Sequence, residues 1–162
     1  MGCTKDILGH YNLTPTCTEE QILQAAEEIL TRRFVRGEQL SDPTAAGRIF
    51  KMRLAGSAHE IFSAVYLDTR HRMIGEPVDH FQGTIDGCEV HPRIICKRAL
   101  ELEAAAVIVA HNHPSGSTEA SAADRAVTAR LKQALALVDI RLLDHFVVGD
   151  GAPVSMAARG WV

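Results

Sequence analysis

Six apolar residues in a row, Ala105 to Ala110, run straight into His111-Asn112-His113-Pro114. An unbroken apolar run of strand length, rather than an alternating one, needs cover on both faces, and such strands lie in the middle of α/β sheets. The chain must therefore supply helices for two layers, and its patterning does so. Thr18-Glu19-Glu20-Gln21 has the form of a capping box, and Ile22, Ala25, Ala26, Ile29 and Leu30 follow at helical spacing until the pattern fades near Gly37. Ser41-Asp42-Pro43 opens a second helix that ends near Gly56. Glu60 to Leu67 reads as a strand, and Met73 to Thr84 as its return partner, interrupted around Gly75-Glu76-Pro77. Pro92 starts a helix that runs through Ala99 to Glu103. Ser121 to Val138 forms another, with Val127, Leu131, Ala134, Leu135 and Val138 on one side, and Arg141 to Gly149 is the last strand. This alternation predicts an α/β sandwich of layers around a mixed sheet. Residues 38–162 carry that core, and residues 1–37 form a short helical extension too small to fold alone.

Composition narrows the function classes. A chain of 162 residues with 46% apolar and 23% charged residues is an ordinary globular domain. The net charge of −3, with dispersed arginines, leaves no electrostatic footprint for nucleic acid, so no strong autonomous nucleic-acid binding is expected. The absence of any run of 18 apolar residues argues against a membrane span. The first residues lack the apolar core of a secretory signal, which makes the cytoplasm the expected compartment, and Asp6 stands where a myristoylation start carries Ser or Thr. Cys3, Cys17, Cys88 and Cys96 form no CxxC pair, so a cysteine-ligated zinc is not expected; Cys88 and Cys96 are read as buried, inert thiols.

The chemistry gathers after the apolar run. Residues two apart on a strand project to one face, so His111 and His113 can converge on one ion. Pro114 ends the strand and leaves both imidazoles at its carboxyl end, where open α/β sheets bind ligands. Asp124, in the first turn of the next helix, can close the site with a carboxylate. Two imidazoles and one carboxylate with a fourth position open are the ligand set of a catalytic zinc. Ser121 and Asp124 have an equally good structural reading as a helix capping box, and the two readings are compatible.

His-x-His, seven residues, Ser, two residues and Asp resembles the signature of the JAMM (MPN+, JAB) metalloprotease domain. The string AHNHPSG together with LLDHFVVGD, Leu142 to Asp150, is similar to the RadC branch of that superfamily, over about residues 38–162. The resemblance implies a cytidine-deaminase-like three-layer α/β/α fold and one zinc ion per chain on His111, His113 and Asp124. It also implies a glutamate at the first sheet strand, and Glu60 is the matching position. There it would hold the attacking water and act as general base. Ser121 would donate a hydrogen bond to the developing oxyanion. At 162 residues the chain is expected to be a short form without the family's helix-hairpin-helix region. Ser117-Thr118-Glu119-Ala120 replaces the family's proline-rich loop at unchanged spacing.

The implied activity is hydrolysis of an amide or isopeptide bond in a peptide or protein substrate; the residues themselves support a carbonyl-type electrophile. Glu76 and Asp79 compete with Glu60 by composition, and an exposed carboxylate at a strand end is the structural alternative for Glu60. A nucleobase deaminase would need a Pro-Cys-x-x-Cys pair that is missing, and Ser115 lacks a nucleophile elbow. The rival from another class is a non-enzymatic module that binds partners in DNA repair or replication. His91 and His145 could orient ligands from behind or simply stand at element boundaries. Trp161 is expected against the sheet.

Overall fold

The computed structural model describes residues 3–5, 11–13, 17–35, 40, 42–83 and 89–162. The central strand is where the apolar run places it. A five-stranded mixed sheet has the order β4-β3-β5-β6-β7, built from β3 (Ile61–Leu67), β4 (Val78–Gln82), β5 (Ala106–Asn112), β6 (Arg141–Val148) and β7 (Val154–Ser155). All of β5 is buried; it pairs antiparallel with β3 and parallel with β6.

Side-chain alternation divides the core into two halves. Val65, Leu67, Ala106, Ile108 and Ala110 meet α2 (Pro43–Leu54) through Ala46, Ile49, Phe50 and Leu54, with Leu30 of α1 (Glu19–Val35) packed behind. Phe62, Ala64, Tyr66, Val107 and Val109 face the other way, toward Ile95 and Ala99 of α3 (Pro92–Glu101) and Leu131 and Leu135 of α4 (Ala122–Ala136). The result is the three-layer α/β/α sandwich that the alternation of elements predicts.

Local signals hold at the helix starts. Thr18 and Gln21 exchange capping-box hydrogen bonds at 3.3 and 3.2 Å. Asp42 caps α2, and Ser121 with Asp124 forms a second capping box at the start of α4. The return strand is shorter than its sequence suggests: Met73 makes an isolated bridge to Leu67, Gly75 adopts φ +74°, and regular pairing starts only at Val78. Its expected end at Thr84, and Cys88, lie outside the described residues. Before α1, β1 (Cys3–Lys5) and β2 (Tyr11–Leu13) pair antiparallel, so the segment expected to be helical also holds two short strands. Among the described residues no helix is long and apolar enough to cross a membrane.

One irregularity decides the site. Between the pairs Val107–Leu142 and Ile108–Asp144 the β5–β6 register skips Leu143. A one-residue shift exchanges the faces of all later side chains. His145, paired with Val109, therefore shares the face of His111, whereas an unbulged strand would present Asp144 there. Asp144 turns instead to the other side, accepting from the Ser155 hydroxyl at 2.6 Å and the Ala157 N–H at 2.9 Å.

Candidate metal centre

His111 is the penultimate residue of β5, and His113 lies just beyond its end in a tight turn. The turn is fixed from several sides: the His113 N–H donates to Val148 O at 2.9 Å, and the Gly116 N–H donates to His113 O at 2.9 Å. Gly116 has φ +82°, a left-handed conformation that favours glycine, and a Cβ there would press on the Asp150 carboxylate. Lys51 reaches from α2 to the carbonyls of Gly149 and Asp150, tying this loop to the far layer. The first turn of α4 brings Asp124 in from the third direction.

The three side chains converge. The Nε2 atoms of His111 and His113 are 2.9 Å apart, and the Asp124 oxygens lie 3.2 Å from His111 Nε2 and 3.5 Å from His113 Nε2. Donor atoms around a tetrahedral zinc with bonds of about 2.0–2.1 Å are about 3.3 Å apart, so the set has the right dimensions and chemistry for an ion. All three offer ligand atoms within 4.8 Å of one another and could hold a metal. His111 is buried, while His113 and Asp124 keep part of their surface in solvent, which leaves one side open.

The rings are held from behind. His113 Nδ1 lies 3.2 Å from Ser117 O, a carbonyl that only accepts, so Nδ1 donates there and Nε2 is the ring atom turned to His111 and Asp124. Phe62 of β3 stacks on His111, ring centroids 6.4 Å apart and planes within 8°. His145 faces His111 Nδ1 from Nε2 at 2.8 Å. His91 stands elsewhere, at the start of α3, with its ring against Phe81.

Electrostatics follow the geometry. Burial acts to raise the Asp124 pKa, but hydrogen bonds and charge from His111 and His113, with the Ser121 side chain, outweigh it and hold the carboxyl well below its usual range. The same carboxylate raises the His113 pKa against the effect of burial. Asp124 thus belongs to the capping box and the ligand cluster at once: one oxygen accepts the Ser121 N–H at 2.6 Å. Ser121 Oγ accepts the Asp124 N–H at 3.1 Å.

Glu60 directly precedes β3 and is half-buried. Burial raises its pKa above the ordinary glutamate value; the His111 and His113 charges oppose that rise and the Asp124 charge adds to it, which places Glu60 in the field of the cluster. Its competitors are engaged elsewhere. Asp79 accepts two bonds from Arg53, at 2.8 and 3.1 Å, and Glu76 lies in the field of the same guanidinium.

Asn112, the middle residue of His-x-His, escaped the sequence reading. It is 3% exposed; the Ile61 N–H donates to its Oδ1 at 2.8 Å and its Nδ2 donates to His59 O at 3.0 Å. The amide thereby grips the backbone on both sides of Glu60 from the strand that carries His111. Its position at the end of a fully buried strand, next to His111, was the available signal. Asn112→Ala strands both partners and is expected to lower unfolding stability by about 1–3 kcal/mol. Metal uptake by the cluster should be unaffected, because Asn112 faces away from His111 and His113. Urea unfolding and metal analysis on the same preparation check this, and an unchanged unfolding midpoint would discount the grip.

One other residue departs from expectation: Cys96 is only partly buried, although burial does raise its thiol pKa. Trp161 has the guanidinium groups of Arg125 and Arg159 over its ring, 5.1 and 5.4 Å from the centroid.

A three-layer α/β/α sandwich whose central strand ends in two histidines that meet a helix-borne carboxylate defines a class of domains with a potential metal centre. Residues 40–161 match the RadC-like JAB domain, and the chain belongs to that family. It is 57% identical over 146 residues to a UPF0758 protein of Xanthomonas campestris pv. campestris (strain 8004), which covers 90% of this chain and 64% of that protein. A UPF0758 protein of Xylella fastidiosa (strain 9a5c) is 55% identical over 144 residues, 86% of this chain and 64% of that protein. The chain thus spans slightly less than two thirds of the length of these relatives.

Proposed function

We propose that the chain is a zinc-dependent hydrolase that cleaves an amide or isopeptide bond in a peptide or protein, with residues 38–162 as the working domain. The observation that carries the reading is the meeting of His111 Nε2, His113 Nε2 and the Asp124 carboxylate, 2.9–3.5 Å apart, within the field of a half-buried glutamate. His111, His113 and Asp124 would hold the ion. When bound, zinc lowers the pKa of a water to about 7 and polarises a carbonyl. Glu60 takes the proton from the attacking water and returns it to the leaving amine. Ser121 donates its hydroxyl proton to the oxyanion.

The test is metal analysis of protein purified without a polyhistidine tag, followed by cleavage of a peptide and isopeptide library. About one equivalent of zinc and metal-dependent cleavage are expected. A chain that takes up no first-row metal would sink the proposal; nickel or cobalt in place of zinc would not, since occupancy also follows availability. Duplex DNA should bind only weakly at about 150 mM salt, because few phosphates are neutralised. A tight complex in a gel shift under that condition would favour the partner-binding module of DNA repair instead.

A further inference from the structure

Behind His111 runs a closed chain of polar groups. His145, 1% exposed, presents Nε2 to His111 Nδ1 at 2.8 Å and Nδ1 to the Thr128 hydroxyl at 2.6 Å. Thr128, fully buried on α4, places that hydroxyl 2.7 Å from the main-chain carbonyl of Asp124. The chain therefore starts at one candidate ligand and ends on the backbone of another.

Its polarity can be read from the proton count. A carbonyl has no proton, and two oxygens 2.7 Å apart repel unless a hydrogen lies between them, so the single Thr128 proton sits on the Asp124 side. The hydroxyl must then accept from His145, which puts the His145 proton on Nδ1 and leaves Nε2 bare. His111 must in turn donate from Nδ1. A neutral His111 in that tautomer carries its lone pair on Nε2, the atom that faces His113 and Asp124. The opposite polarity would put the proton on His111 Nε2, where it would have to leave before any ion could bind.

We propose that Thr128 and His145 are positioning residues that fix His111 in the Nδ1–H tautomer and so keep its Nε2 ready for a metal. The proposal rests on the zinc reading for its consequence, but the tautomers themselves can be observed without metal. Outer partners of metal-binding histidines act in this way when they fix the ring and its proton. Here the β6 bulge at Leu143 turns His145 toward His111, and the fixed acceptor is part of the helix that carries Asp124.

The test has two arms on the whole chain. In the first, long-range proton–nitrogen NMR spectra of metal-free wild type are recorded at mildly alkaline pH, above the ordinary imidazole pKa. Both His111 and His145 should carry the proton on Nδ1; a proton on Nε2 of either overturns the proposal. In the second arm, zinc affinity is measured by competition with a chromophoric chelator for wild type, Thr128→Val and Thr128→Ser. Valine removes the acceptor of His145 and should weaken zinc roughly 10–100-fold, whereas serine restores the hydroxyl and should bind as wild type does. Equal affinity in the valine variant, or equal weakness in both variants, would discard the hydroxyl's role. If wild type takes up no zinc, the hydrolase reading fails while the spectra still decide the relay.

Discussion

Glu60→Gln is expected to fold, to load zinc as wild type does, and to hydrolyse its substrate about 10²–10⁴-fold more slowly, the usual contribution of acid–base catalysis. Glutamine keeps the size and one accepting oxygen but cannot take a proton. The carboxylate stands beside the ligand cluster rather than within it, so the metal should remain. A second consequence separates this substitution from simple damage. Burial raises the folded-state pKa of Glu60, so between the unfolded and folded pKa values the folded protein binds more protons, and stability falls as pH rises through that window. At neutral pH the ionised Glu60 opposes folding of the metal-free chain, and glutamine removes that opposition. Metal-free Glu60→Gln should therefore melt slightly above wild type at neutral pH, and the gap should close as pH falls below the unfolded glutamate value. Loss of zinc from this variant would make Glu60 a ligand and put Asp124 in question. Undiminished cleavage would move the base to Glu76 or Asp79, despite the attachment of Asp79 to Arg53.

Asp124→Ala should retain essentially no zinc after dialysis against a mild chelator, and with it no hydrolysis. Removing the carboxylate leaves two imidazoles, and it removes the negative charge that raises the His113 pKa. The same side chain accepts the Ser121 N–H at 2.6 Å, so the cap is weakened as well, at a cost of about 0.5–2 kcal/mol. That cost is too small to unfold a domain of this size, so thermal melting of the metal-free proteins should show a folded variant. Full zinc occupancy in Asp124→Ala would show that the ligands are assigned wrongly.

Much of the scaffold is legible because its causes are local. The apolar run sets the middle strand, Ser121 and Asp124 meet because residues three apart at a helix start can exchange capping bonds, and His111 and His113 alternate onto one side. Other features have causes far away in the chain. Whether Glu60 faces the cluster depends on how β3 pairs with β5, and the grip of Asn112 on residues 59 and 61 joins positions about fifty residues apart. Cys96 differs from expectation for the same reason: its surroundings come from neighbours that no local pattern specifies.

By itself the sequence determined the order of the elements, the capped helix starts and the candidate ligands, since periodicity and capping act over a few residues. The tertiary structure alone decided which groups stand behind those ligands. A single skipped residue, Leu143, turns His145 toward His111 and Asp144 away from it. That choice depends on the fit between two neighbouring strands and the helix laid across them, and a skipped residue leaves no periodic mark in LLDHFVVGD.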